Sequence, residues 1–534
     1  MKTLPVLLVV VLVVGMVLTA CAPAPTEAPP AAPTEVPAEP EEAAEEMATE
    51  APAEAEEATE KPYEGVTIRI LANTGPFIIG PVYKHAPEFE ELTGAKIEVS
   101  EVPFADLFPK LQQLGATKSS EFDLVLVANT WMADLVALDY IVPLDPFIEA
   151  SIDSPDLAWD DIPDGIKRKN SWGGHTYSFI IDNDNHFFFY RKDVLGDPKW
   201  QEAYQEETGE ELPNPPTTID EVLSVAKFFK DKDWAGDGHP EQHNSFVTSI
   251  TRGNQALWYA YTWLSAYGVV PTDEAPAAGV FLFDPDDMTP LVNNPGYVKG
   301  IEKYLEMVEC CIRPGKDSVR GDVINEMING TTLMAFDWGD IGPSSVGPDS
   351  TVKGKLGFAI APGSKEYYDW QTEEWVETEE VKYSPAHAFN GWAWMLTSTS
   401  KNPQAAWDLI LFLINPDRSA LDVASTDSGC QPWRISHAEN IEPWVTAGWN
   451  EEDAKSYVEA VVANTDHPNS VFDVRVPGAA RYQEAIELQL SRALAGEISA
   501  QEAMDNAAEE LDKITEELGR ESQTKAYRAH LGLE

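Results

Sequence analysis

Basic residues are scarce in this chain: 37 Lys and Arg stand against 90 Asp and Glu, a formal net charge of −53 over 534 residues. A summed field of that sign repels polyanions, which weighs against nucleic acid as a partner. Such acidity is ordinarily a solvated surface, so it says little about a ligand. Cysteine is nearly absent, with only Cys21, Cys310, Cys311 and Cys430. No CxxC or Cys/His set is there to hold a structural metal. Neighbouring cysteines rarely bond each other, which leaves a bridge from Cys310 or Cys311 to Cys430 as the pairing to test. GxSxG, HExxH and P-loop motifs are missing as well, and no internal repeat is visible.

What is present begins with an export signal. Lys2 precedes an uncharged apolar run from Leu4 to Leu18, and Leu18-Thr19-Ala20-Cys21 matches a bacterial lipobox. The run is too short, and too cleanly ended by a cleavage motif, for a permanent membrane span. The reading is a signal peptide over 1–20 and a lipidated Cys21, whose acyl chains contribute about 0.8 kcal/mol per buried methylene. Residues 21–62 are almost wholly Ala, Pro, Glu and Thr, too poor in apolar side chains to order themselves. Twelve glutamates against one lysine make this stretch a self-repelling, extended tether. Of the formal charge, +1 falls in 1–20 and −11 in 21–62, leaving −43 on the rest.

From Tyr63 the composition becomes globular, and the remaining length exceeds what one core normally serves, so two domains are expected. Val66–Leu71, Ala95–Val99 and Phe122–Val127 read as strands, separated by helical patterns over Pro81–Leu92 and Ala105–Gly115, with a further helix at Met132–Leu138. This βαβαβ alternation predicts a parallel sheet with ligand loops at the strands' carboxyl ends. Asn73-Thr74-Gly75 and Asn129-Thr130-Trp131 stand at two such ends. Near the C-terminus, Ala479–Leu494 and Ala500–Leu518 are amphipathic helices.

Several segments then occur in a telling order. Glu90-Glu91-Leu92-Thr93-Gly94 is followed by Phe122–Val125, Ile141–Asp145, and Tyr177–Leu195 with its Tyr190 and Lys192-Asp193. Pro215–Glu221 reads as a capped helix start at Thr218, and Asn329–Trp338 as a Gly-x-x-x-Met segment ending in tryptophan. Asn390–Trp394, Ser400–Trp407 and Ala493–Met504 complete the succession. In this order the chain resembles the family 1 extracellular solute-binding proteins of ABC importers, the group that contains maltose- and other sugar-binding proteins. The resemblance implies an α/β, two-lobed, type II periplasmic-binding-protein-like fold with three crossovers around a hinge cleft. It places the crossovers near 180–187, 335–340 and 389–394. It assigns 63–180 and 340–389 to the first lobe, 187–335 and 394–518 to the second, and 519–534 to a C-terminal tail.

The resemblance also implies a monomeric, membrane-anchored lipoprotein at the cell surface or in the periplasm. Such a protein needs no cofactor and performs no catalysis; it holds a small solute, a sugar above all, and delivers it to ABC permease subunits by lobe closure. A sugar offers C–H faces and hydroxyls, so its site pairs aromatic planes with directional polar groups. On the mapped cleft the candidates are Asn73, Asn129, Trp131, Asp182, Asn183, Asp184, Asp337, Trp338, Asp340, Trp392, Trp433 and Arg434. For each tryptophan the competing role is core packing, for Asp182–Asn185 a turn, and for Arg434 and Arg475 a structural ion pair. Ala479-Ala480-Arg481-Tyr482 stands where maltose-binding proteins carry a tryptophan, which argues against maltose itself. Asp231, Asp233 and Asp237 hint at a calcium loop but do not complete its pattern; a surface turn is the alternative. Two other readings stay open: the same fold taking a polyol, a glycerophosphodiester or a cationic osmolyte, and an exported glycoside hydrolase.

Overall fold

The computed structural model describes residues 61–271, 279–312 and 317–533. The signal peptide, Cys21 and the tether up to residue 60 lie outside the described residues. Among the described residues no helix is long and apolar enough to cross a membrane.

The chain opens with β1 (Thr67–Asn73), α1 (Pro76–Thr93), β2 (Lys96–Val102), α2 (Phe104–Thr117) and β3 (Leu124–Ala128). β1 pairs in parallel with both β2 and β3, as the alternating pattern predicts. β3 is buried at every position, a central strand covered on both faces. After α3 (Asp164–Asn170), β4 (Phe179–Asp182) stands at one edge of this first sheet. Beyond the break at Asn183–Asn185, β5 (His186–Arg191) enters a second sheet, so the chain passes between sheets inside the stretch 180–187. In that second sheet β5 is central and antiparallel to both β6 (Met334–Trp338) and β7 (Leu356–Ala359).

The helices of the second layer include α4 (Ala256–Gly268), α5 (Pro295–Cys311) and α6 (Arg320–Ile328). Helix Ile219–Phe229 starts with the expected cap: the Thr218 hydroxyl accepts from the Glu221 N–H at 3.1 Å, and Glu221 reaches back to the Thr218 N–H at 3.2 Å. A cap of this kind is worth about 1 kcal/mol.

The later lobe boundaries need correction. No crossover occurs at 335–340, because β6 and β7 flank the same strand of the second sheet. Residues 340–387 therefore stay with the second lobe, where the hairpin Ser364–Asp369/Glu374–Lys382 packs on α4 and α5. The second passage comes at 387–392, after which β8 (Trp392–Leu396) inserts between β3 and β4, antiparallel to both. Thus β8 and the following α7 (Pro403–Ile414), expected in the second lobe, belong to the first, where α7 packs on α1. A third passage through 425–450 leads to α8 (Glu451–Thr465), packed on β5 and β7. Helices α9 (Ala479–Leu494) and α10 (Ala500–Leu518) have the bounds read from their periodicity.

Residues 519–533 are not a loose tail. They hold α11 (Arg520–Leu531), with Tyr527 and Leu531 fully buried and the Tyr527 hydroxyl donating to the Phe281 carbonyl at 2.7 Å. The cysteine expectation also fails: Cys310 and Cys311 are bonded to each other, and Cys430 is a free, buried thiol. At the calcium-loop candidate, Asp233 accepts from the Gly236 and Gly238 N–H groups and Asp237 from that of His239, which makes a surface turn. Among the described residues no His, Cys, Asp and Glu group is arranged to hold a metal.

Candidate functional site

A cavity of about 130 Å³ lies between the two sheets, walled by both layers and by all three passages. Asn73 ends β1, Thr74 and Gly75 lead into α1, and Phe77 and Ile78 come from that helix's first turn. Phe104 opens α2. Opposite them Gln255 precedes α4, Arg320 opens α6, and Trp338 and Asp340 follow from the end of β6. Asp182 and Asp184 come from the first passage, Phe389 and Trp392 from the second, and Gly429 from the third. The carboxyl ends of β1 and β6 thus face one space, where αβ folds place ligands.

Aromatic rings form much of the wall. Trp338 and Phe389 stack at 5.5 Å with an interplanar angle of 21°, and Phe104 meets Phe389 edge-on at 5.5 Å and Trp392 at 6.2 Å. The His186 ring sits edge-on to Trp338 at 4.0 Å. Burial, with Arg320 nearby, pushes the His186 pKa down to about 3, so its ring is neutral. The Arg320 guanidinium lies 4.9 Å over the Trp338 ring.

The polar groups are mostly carboxylates. Arg320 Nη2 is 2.5 Å from both oxygens of Asp340, and its Nε is 3.5 Å from Asp337 Oδ1. Asp337 is fully buried and accepts from the Tyr259 hydroxyl at 2.6 Å and the Trp338 N–H at 2.7 Å. Asp182 Oδ1 accepts from the N–H groups of Gln431 at 2.8 Å and Asp184 at 3.3 Å. Burial nevertheless raises the Asp182 and Asp337 pKa values to about 7. Asp184 is raised well above the carboxylate range, by burial and then by the charge of Asp182. Behind them Lys169, buried, donates from Nζ to the Asn183 carbonyl at 2.8 Å and to Asn183 Oδ1 at 2.7 Å. Its pKa falls to about 7, again through burial.

Among the described residues, five atoms of the wall are buried without a hydrogen-bond partner: Asn73 Oδ1, Asp184 Oδ2, Gln255 Oε1, Arg320 Nε and the indole Nε1 of Trp338. A buried polar group left unpaired costs about 1–3 kcal/mol, so three acceptors and two donors together amount to a demand for a hydrogen-bonding solute. Backbone strain gathers at the same place. Asp184, Gln255 and Phe389 all have left-handed backbones, with φ of 53°, 69° and 56°, and Asn390 and Gly391 continue the run at 57° and 93°. Each such non-glycine residue costs roughly 1–3 kcal/mol and persists only where surrounding structure enforces it.

The profile of the bacterial extracellular solute-binding proteins matches residues 84–450. The chain belongs to that family. This solute-binding protein is 22% identical over 361 residues to an erythritol/L-threitol-binding protein of Mycolicibacterium smegmatis, a match covering 64% of the chain and 65% of that relative's length. Among solved structures, an ABC transporter solute-binding protein from Agrobacterium radiobacter in complex with ribitol aligns with a TM-score of 0.66 and 22% identity. That alignment covers 85% of this chain and all of the other. A maltose-bound protein from T. maritima gives 0.63 at 16% identity over 84% of this chain and 100% of its own. A D-mannitol-bound protein from Agrobacterium vitis gives 0.62 at 17% identity, over 85% and 99%. These alignments establish the two-lobed fold.

Of the residues singled out from sequence, Asn73, Asp182, Asp184, Trp338, Asp340 and Trp392 come together in the cavity wall of this solute-binding protein. The others do not reach it. Trp131 is packed between Phe108, stacked at 5.2 Å, and Phe104, which takes the wall position in its place. Asn129 is fully buried and ties the Lys169 and Asn390 carbonyls together, while Asn183 is held by Lys169 and Thr465. Asp337 stands behind Trp338 and Arg320 rather than at the surface of the wall. Trp433 packs edge-on against Phe179 at 5.7 Å, and Arg434 donates to the Leu157 and Ile414 carbonyls and pairs with Asp161. Arg475 binds the Lys169 carbonyl and His530, with no carboxylate partner among the described residues. Phe104, Gln255, Arg320 and Phe389 are wall residues that sequence reading missed; only Phe389 had a signal, the Asn390-Gly391 turn beside it.

Proposed function

We propose that this protein captures a small polyhydroxylated carbohydrate, a short alditol or a monosaccharide, and delivers it to an ABC importer. The observation that carries the reading is the cavity: a compact space that sets aromatic faces beside carboxylate and amide acceptors and an unpaired indole donor. Its size favours a short solute over a maltooligosaccharide. Tyr482, standing where maltose-binding proteins carry a tryptophan, agrees: it is buried and its hydroxyl is hydrogen-bonded to that of Thr515. The relative named for erythritol and L-threitol, and the structures that hold ribitol and D-mannitol, support the same choice. A phosphodiester is disfavoured because Arg320, the one cation in the described wall, is already paired with Asp340. In the proposed arrangement Cys21 carries the lipid anchor outside the cytoplasm, residues 22–62 lift the lobes from the membrane, and a monomer meets the permease subunits.

A thermal-shift screen of the purified protein tests this. A solute at about 100 times its Kd should stabilise the fold by about 2.7 kcal/mol. The expected result is a shift with alditols or monosaccharides and none with phosphodiesters, with the solute recovered intact. A shift with phosphodiesters alone, or turnover of a glycoside, would overturn the reading.

A further inference from the structure

The charge balance around the cavity is lopsided. Three carboxylates, Asp182, Asp184 and Asp340, line it, and Asp337 lies directly behind. Two side-chain cations face them. Arg320 is committed to Asp340 and Asp337. Lys169 directs its hydrogen bonds to Asn183 and makes none to a carboxylate. His186 and His387, the neighbouring imidazoles, are held neutral by burial. The start of α1 adds only a partial positive charge of about half a unit, and the Gly75 N–H there is already taken by Glu101. Asp182 has two backbone donors, but Asp184 Oδ2 has none, in a residue only 5% exposed. Trp338, Phe389 and Trp392 bring ring faces to the same space.

A neutral alditol would satisfy the hydrogen bonds but supply no countercharge, so the Asp184 carboxyl would have to keep its proton to stay buried. A protonated amine would do both: it donates to a carboxylate as a charge-assisted bond and is favoured beside aromatic faces. We infer that the solute is a small polyol or sugar bearing one protonated amine, received by Asp184 of the first passage, with its hydroxyls meeting Asn73, Asp182 and Trp338. The inference rests on the carbohydrate-capture reading and narrows it to an amino-substituted class. A bound cation would let Asp184 ionise beside Asp182, where without it the two carboxyls avoid repulsion by keeping protons. The raised pKa values of Asp182 and Asp184 are the signature of that repulsion added to burial.

Titration calorimetry on the full chain at pH 7.5 compares erythritol, ribitol and sorbitol with their 1-amino-1-deoxy counterparts and with the matching aldonates. The amines should bind about tenfold tighter than the neutral alditols, and the aldonates weakest. In Asp184→Asn the amine should lose more affinity than the alditol, bringing the ratio close to one. Neutral alditols binding as tightly as the amines would overturn the amine assignment while leaving carbohydrate capture standing. A ratio unchanged in a folded Asp184→Asn would overturn the role given to that carboxylate. Binding of aldonates alone, or of no alditol, sugar or amine, would overturn both readings. The comparison among solutes on the unaltered protein decides the matter if Asp184→Asn does not fold.

Discussion

Trp338 and Trp131 are both nearly buried, 2% and 7% exposed, yet their neighbours give them opposite duties. The Trp338 indole N–H has no acceptor among the described residues and its ring lines the cavity, whereas Trp131 is stacked on Phe108 behind Phe104. Trp338→Ala should weaken solute binding by about 2 kcal/mol or more. Trp131→Ala should instead lower stability by about 3–5 kcal/mol, read from urea unfolding. Equal losses of affinity at undiminished stability would contradict this division. Asp182 allows a test by pH. Burial lifts its pKa from 3.8 to about 7, so between those values the folded chain holds a proton that the unfolded chain has released. Stability contributed at this residue is therefore present at pH 4 and lost as pH rises towards and through 7. The groups facing it are Asp184, Asp340 and Lys169. Melting curves of the wild type and Asp182→Asn should converge near pH 4, and the variant should gain on the wild type by pH 7.5. Parallel curves across that range would show that the carboxyl ionises freely in the fold.

At the level of elements, the first three strands and their helices were legible because a βαβ pattern repeats hydrophobic periodicity that only one architecture accommodates. The capping box at Thr218 and the bounds of α9 and α10 were equally readable, since a cap and a helical stripe are local features. Sheet membership was not. Trp392–Leu396 is a short apolar run that reads the same in either sheet, and its place between β3 and β4 is set by partners more than 200 residues away. Arg320 was missed for a similar reason: its function-bearing partners, Asp337 and Asp340, meet it only through the start of α6. The second passage shows what such a placement demands of the backbone. Gly391 has φ of 93°, and a Cβ there would overlap the Asp182 carbonyl of the neighbouring passage. Gly496 has φ of 72° with open space around it. Gly496→Ala should cost about 1 kcal/mol, from the left-handed backbone alone, and Gly391→Ala clearly more, because the two passages would be forced apart. Urea midpoints that fall equally for both would show that the passages do not constrain each other.

For the whole molecule, the distribution of wall residues determines what binding can do. A ligand shifts an equilibrium between open and closed lobes only by its differential affinity for the two. Asn73, Phe77 and Phe104 belong to the first lobe, while Gln255, Arg320 and Trp338 belong to the second, so a solute touching both sets is fully bound only when the lobes meet. The passages that must bend already hold left-handed residues at Asp184 and Phe389–Gly391, which localises the movement to a few dihedral angles. Closure works against the self-repulsion of an acidic chain, so added salt should assist it. Small-angle scattering should therefore record a smaller radius of gyration at saturating solute than without it, with the contraction reached at lower solute concentration as ionic strength rises. Gln255→Ala removes a contact from the second lobe alone; it should weaken binding and reduce the contraction even when the site is saturated, because less of the binding energy then depends on the closed form. Contraction equal to the wild type at matched saturation would mean that Gln255 does not discriminate between open and closed lobes.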